Sequence, residues 1–150
     1  MSDPTSTTQP KPAVVPSNPS GPLDWRRLVQ WLLADGVITA EEAQRTVARC
    51  SQAESTQHPL VRLANVGMAR AGDGRALDIE ELTQYLAARS GMAYLRIDPL
   101  RVDAGRVGEI MSASYAERHK VLPVQVSPQE VVVATAEPFI DDWVAEVERQ

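Results

Sequence analysis

Apolar residues recur three and four positions apart along the first part of the chain, which is the spacing that buries one face of an α-helix. One such stretch begins after Asp24, a residue type that caps helix N-termini, and ends at Gly36. The next begins after Thr39, which forms a capping-box pattern with Glu42 three residues later. These positions predict two helices joined by a glycine turn.

The same order of signals returns further along the chain. A short helix is predicted over 60–69, and a glycine-containing loop separates it from a helix that begins after Asp78. Asp78 and Glu81 repeat the capping-box spacing, and Gly91 follows the last helical turn. The two helix pairs resemble a degenerate internal repeat, and two independent hairpins that obey the same capping rules give the same pattern. Either origin predicts a helical subdomain over residues 23–92.

After residue 92 the helical spacing gives way to short β-rich runs. We predict, in chain order, a strand over 94–97, a long or broken helix over 102–120, and strands over 121–126 and 131–136. A last helix follows Asp141 and Asp142 and runs to residue 150 without a C-cap. We interpret this as a sign that the chain continues in a longer protein; a frayed natural terminus gives the same pattern. The whole order predicts an α+β fold, in which the helical subdomain precedes a small α/β subdomain, residues 93–150, with about three strands.

Residues 1–22 carry no apolar periodicity and hold six of the eleven prolines. Such a segment cannot bury enough apolar surface to offset its ordering entropy, so we predict a disordered Pro-rich leader. The N-terminus lacks the basic and then apolar order of a secretory signal. No window approaches the ~18 consecutive apolar residues of a membrane span. We therefore expect a cytoplasmic chain without direct membrane insertion.

Composition argues against several kinds of site. The chain has 15 basic and 20 acidic residues and a formal net charge of −5, so it lacks the basic excess that nucleic-acid binding needs. Its one cysteine, Cys50, and its histidines, His58 and His119, are not at metal-ligand spacing. The acidic pairs fall in first helical turns, where they stabilise the helix dipole. We expect no nucleic-acid partner, no metal site and no catalytic constellation.

The stretch 67–74 has the glycine spacing of a phosphate-binding loop. Asp73 and Gly74 stand where such a loop has Lys and then Ser or Thr. Without those side chains the loop lacks the usual contacts to phosphate and magnesium. We expect these residues neither to hydrolyse ATP nor to hold a cofactor.

Several runs of framework residues occur in a specific order, namely 82–91, 94–100, 115–124 and 133–139. They make residues 60–145 resemble the N-terminal domain of type II secretion ATPases, the general secretion pathway E proteins, which are related to type IV pilus assembly ATPases. The resemblance implies that the parent is a hexameric motor that uses ATP and magnesium. It also implies that the ATPase core, through which the parent self-associates, lies beyond residue 150.

The resemblance further implies a non-catalytic docking role for this module. In the family, the module binds the cytoplasmic domain of the inner-membrane L protein and recruits the motor to the membrane for protein secretion. We therefore expect a peripheral location at the inner membrane, through the partner. As docking residues we select Trp25, Arg26, Val29 and Leu32, because aromatic, arginine and apolar side chains commonly anchor interfaces.

An alternative function is a cyclic di-GMP-binding regulatory domain, because some N-terminal domains of the family bind that nucleotide through a repeated Arg-Leu-Gly motif. The residues that match the two copies are Arg27, Leu28, Gly36, Arg62 and Leu63. Val29 and Ala64 replace the two motif glycines, and a β-branched side chain obstructs a close approach of backbone to ligand. The preferred interpretation is that the motif residues now serve packing.

Overall fold

The computed structural model describes residues 21–149, so the predicted leader, apart from Gly21 and Pro22, lies outside the described residues. The chain divides into two compact units. We call residues 23–85 the helical unit, and residues 86–149 with Gly21 and Pro22 the mixed unit. The boundary between them falls within one helix.

Within the described residues there are seven α-helices, one short 3-10 helix and two β-strands. In chain order these elements are α1 (Trp25–Ala34), α2 (Ala40–Ser51), α3 (Pro59–Val66), α4 (Ile79–Ser90), the 3-10 helix (Pro99–Arg101), α5 (Ala104–Ile110), α6 (Ala113–His119), β1 (Val121–Val126), β2 (Val131–Thr135) and α7 (Val144–Glu148). The α+β fold class predicted from the sequence, with a helical part before a small sheet, is confirmed.

Helix starts in the helical unit lie where the capping residues predict them. The Asp24 carboxylate accepts a hydrogen bond from the backbone N–H of Arg26 at 3.0 Å, and the Thr39 hydroxyl accepts one from Glu42 at 3.2 Å. Asp78 accepts from the N–H of Glu81 at 2.8 Å. Each cap satisfies a donor that the first helical turn leaves unpaired, which fixes where the helix begins.

The core of the helical unit draws on all four helices and on the loops between them. Its fully or almost fully buried apolar side chains include Leu28, Trp31, Leu32, Ile38, Leu63, Met68, Leu77 and Leu82. Ile38 and Leu77 occupy corresponding positions, because each is the aliphatic residue just before a capped helix. The two inter-helix loops are joined directly, since the N–H of Ala71 donates to the carbonyl of Val37 at 2.8 Å.

A buried carboxylate fixes the glycine-rich loop against α2. Glu42 is 8% exposed, and its Oε2 accepts a hydrogen bond from the N–H of Ala69 at 3.0 Å. Its other oxygen accepts from the guanidinium of Arg45 at 2.8 Å. A buried carboxylate costs free energy unless it is paired, and here both oxygens have partners.

The mixed unit is built on an antiparallel hairpin. β1 pairs with β2 from Val121 opposite Thr135 to Val126 opposite Val131, with an irregularity after Pro123. A proline cannot donate a ladder hydrogen bond, so an irregular register beside it is expected. α5 and α6 both contact β1.

Two details of the predicted order are corrected in this unit, and the predicted alternative of a broken helix over 102–120 is confirmed. Residues 92–98 form neither helix nor strand, so the sheet of the described residues has two strands rather than about three. The 102–120 helix is broken: Met111 is extended, with φ −155° and ψ 151°, and the Ser112 hydroxyl caps α6. The last helix also begins later than predicted, at Val144.

Removing the Glu42 carboxylate tests how firmly the glycine-rich loop is held. We expect Glu42→Ala to lower the free energy of unfolding by about 1–3 kcal/mol, because the partly buried N–H of Ala69 loses its acceptor. Urea denaturation measures the change. Glu41→Ala is the matched control, since Glu41 is exposed in the same helical turn. An equal loss in both variants would contradict the role of the buried contact.

Candidate functional site

The residues selected for docking lie on α1, and most of them are buried. Trp25, Val29 and Leu32 are 8%, 2% and 0% exposed, whereas Arg26 is exposed. The guanidinium carbons of Arg26 and Arg62 lie 4.5 and 5.3 Å from the centroid of the Trp25 ring, within cation–π range. The three apolar side chains pack inward, so they do not form an exposed docking surface. Their helical spacing reflects the packing of α1 into the core.

The residues of the cyclic di-GMP motif also serve the fold. Leu28 and Leu63 are 0% exposed, and Gly36 adopts a left-handed conformation, with φ 74°, in the turn after α1. Val29, which stands in place of the first motif glycine, has its side chain in the core. Arg27 is half-buried on α1. The first copy of the motif therefore builds a helix and its turn.

Arg62, from the second copy, ties α3 to the end of α2. Its Nη2 donates to the carbonyl of Cys50 at 2.5 Å and to the carbonyl of Ala53. Carbonyls at a helix C-terminus lack intrahelical donors and carry partial negative charge, so a guanidinium there is stabilising. Because the contact joins residues far apart in sequence, the spacing of motif residues did not reveal it.

The glycine-rich loop closes as a narrow hairpin with a compensated charge cluster. The N–H of Arg70 donates to the carbonyl of Arg75 at 2.9 Å. Arg70 pairs with Asp73 and, at 3.3 Å, with Glu81, which also accepts from Arg75 at 2.8 Å. The hydrogen bond from Arg70 holds the pKa of the Asp73 carboxyl well below its usual range. Both arginines of the loop are thus paired with carboxylates.

An open cavity of about 480 Å³ lies beside this loop in the helical unit. Its apolar wall comes from α1, α4 and the loops, with Leu32, Leu77 and Leu82 among its residues. Arg70 and Arg75 line its polar side. Those arginines already pair with carboxylates of the same unit, so the polar side of the cavity carries little net charge.

A second cavity, of about 300 Å³, lies in the mixed unit where α7 meets the start of α6. The Tyr115 hydroxyl donates to a carboxylate oxygen of Glu146 at 3.0 Å, and its ring stacks on His119 at a centroid distance of 4.2 Å. Nδ1 of His119 lies 3.9 Å from a carboxylate oxygen of Asp142. These contacts hold the last helix of the described chain against α6.

The most concentrated exposure of apolar side chains occurs in residues 92–100, which we call the apolar segment. Met92, Leu95 and Ile97 are 45%, 50% and 40% exposed, and Leu100 is 94% exposed. A cluster of large apolar side chains in water marks an interaction site more often than isolated ones do. The apolar residues of this segment are recognised in the sequence, where they predict a strand over 94–97. Their exposure could not be predicted, because it depends on which other parts of the chain pack over the segment.

Among residues 21–149, no group of three or more His, Cys, Asp or Glu side chains is arranged to hold a metal ion. None of the helices in the part of the chain that the structure describes is long and apolar enough to cross a membrane.

Comparison with known proteins identifies the class of the mixed unit. Residues 90–150 match the family model of the MshEN domain. This part of the chain is an MshEN domain, the N-terminal domain of type II secretion and type IV pilus assembly ATPases, which confirms the resemblance seen in the sequence. The apolar segment lies within it.

One curated relative extends the similarity over most of the chain. Over 130 residues, 84% of the chain, the sequence is 32% identical to the type IV pilus assembly ATPase TfpB of Acinetobacter baylyi. The chain spans 22% of the length of that relative.

Arg62 gives a direct test of a structural role against a ligand-binding role. We expect Arg62→Gln to lower the free energy of unfolding by about 1–3 kcal/mol, because charge-assisted hydrogen bonds to two carbonyls are lost. Thermal and urea denaturation measure the loss. Arg49→Gln, an exposed arginine in the last turn of α2, is the matched control. Unchanged stability of Arg62→Gln would contradict the structural role.

Titration with cyclic di-GMP tests the alternative function. We expect no saturable heat in calorimetry, because the Val29 side chain fills the place of a motif glycine and Arg62 already binds carbonyls. Saturable binding that disappears in Arg27→Ala would instead establish a nucleotide sensor.

Proposed function

We propose that this chain is the N-terminal, non-catalytic docking part of a type II secretion or type IV pilus assembly ATPase. The MshEN match and the similarity to a pilus assembly ATPase support this placement. ATP hydrolysis with magnesium, and hexameric assembly, belong in this proposal to the rest of the parent protein.

The proposed partner is the cytoplasmic domain of the inner-membrane L protein of the secretion system. Binding to it recruits the motor and gives it a peripheral location at the inner membrane. The chain itself needs no membrane-crossing helix for this role, because the partner supplies the anchor.

The observation that carries the docking proposal is the exposure of the apolar segment within the MshEN domain. Leu100 leaves 94% of its surface in water, and burying a leucine side chain stabilises a complex by about 1.5–3 kcal/mol. Leu95 and Ile97 add further apolar area beside it in the chain. A protein surface that covers these side chains gains this free energy without any rearrangement of the core on α1.

Calorimetry with the purified cytoplasmic domain of the L protein tests the proposal. We expect micromolar or tighter binding, and a loss of about tenfold or more in Leu100→Asp, because that change places a charge where apolar contact forms. Val61→Asp is the matched control, since Val61 is an apolar residue 40% exposed on α3 of the helical unit.

Two results would contradict the proposal in different ways. Absence of binding by the unchanged chain would remove the L protein as partner. Binding that Val61→Asp weakens and Leu100→Asp leaves unchanged would place the docking surface on the helical unit.

A further inference from the structure

Three alternate residues of the apolar segment have no backbone hydrogen-bonding partner among the described residues. The N–H and C=O groups of Ala93, Leu95 and Ile97 form no backbone hydrogen bond with any other residue in 21–149. These are alternate residues, and in an extended chain the main-chain groups of alternate residues point to the same edge. The next residue, Asp98, is already extended, with φ −101° and ψ 107°.

The side chains of the same stretch favour a strand. Tyr94, Leu95 and Ile97 are of the aromatic and branched types that are enriched in strands. Leu95 and Ile97, two positions apart, fall on one face of an extended chain, and both are about half exposed. A strand-forming sequence with a free edge and an apolar face is a template for an added strand.

Charge around the segment favours an acidic occupant. Between residues 89 and 106 the chain carries Arg89, Arg96, Arg101 and Arg106 against Asp98 and Asp103, although its total formal charge is −5. The Arg101 side chain is 89% exposed and lies 3.7 Å from Asp98, so its guanidinium remains accessible to a partner. Arg106 is less exposed, at 62%; it lies 3.8 Å from Asp103 and donates to the carbonyl of Val126 at 3.3 Å.

We propose that residues 93–97 dock the partner by strand addition, accepting an extended partner segment that alternates apolar and acidic side chains. Main-chain hydrogen bonds to Ala93, Leu95 and Ile97 hold the added strand, and its apolar side chains cover Leu95 and Ile97. Its acidic side chains meet the exposed guanidinium of Arg101 beside the segment. This inference rests on the proposed function and names the chemistry of the partner at that site.

Three substitutions at one position separate main-chain pairing from side-chain contact. Leu95→Val keeps the N–H and an apolar side chain, Leu95→Ala keeps the N–H alone, and Leu95→Pro removes the N–H as well. Leu95 is half exposed and its N–H has no partner among the described residues, so the fold should tolerate all three, which thermal unfolding checks.

Calorimetry against the cytoplasmic domain of the L protein gives the readout. Strand addition predicts affinity close to that of the unchanged chain for Leu95→Val, a moderate loss for Leu95→Ala, and a further loss of about tenfold or more for Leu95→Pro. Equal affinities of the alanine and proline variants, with the unchanged chain binding, would overturn strand addition and leave the docking proposal intact. If the unchanged chain does not bind, the proposed function fails first.

The occupant is tested separately with the chain alone. We expect the amides of residues 93, 95 and 97 to exchange rapidly with solvent deuterium in the free chain, and removal of residues 1–20 to leave their exchange unchanged. Slow exchange that becomes fast when residues 1–20 are removed would show that the chain's own N-terminal segment occupies the edge, which would overturn the proposed partner.

Discussion

Burial of the apolar face of α1 is the interaction on which the helical unit depends. Leu28, Trp31 and Leu32 are at most 1% exposed, and α1 contacts both α2 and α3. Burying side chains of this size contributes about 1.5–3 kcal/mol each, so the three together outweigh any single polar contact in the unit. The same burial removes Trp25 and Val29 from the surface, so the strongest apolar signal in the sequence marks a core and not a docking site.

In the mixed unit, by contrast, several large apolar side chains that are close together in the chain remain exposed. Its hairpin contacts α5 and α6, but the apolar segment that precedes them keeps Leu95, Ile97 and Leu100 exposed. An apolar side chain left in water has no stabilising role in the isolated unit. We propose that such side chains serve association, and the run of them in residues 92–100 is the physical basis for proposing that docking uses this part of the chain.

The sequence predicts most reliably what depends on neighbours along the chain. The caps at Asp24, Thr39 and Asp78 form as expected, because a cap involves residues two or three positions apart. A strand, in contrast, needs a partner from elsewhere in the chain, so the β-rich run 94–97 alone could not decide whether one would form. The same limit explains why the contacts of Arg62 with the end of α2, and of Glu42 with Ala69, were not anticipated.

We propose that docking uses the apolar segment and leaves the core on α1 intact. Amide hydrogen exchange across the whole chain, with and without the cytoplasmic domain of the L protein, tests it most directly. We expect the partner to slow exchange in residues 92–101 and to leave exchange in α1 unchanged. Slowed exchange confined to α1 and its flanking turn, with none in residues 92–101, would contradict it.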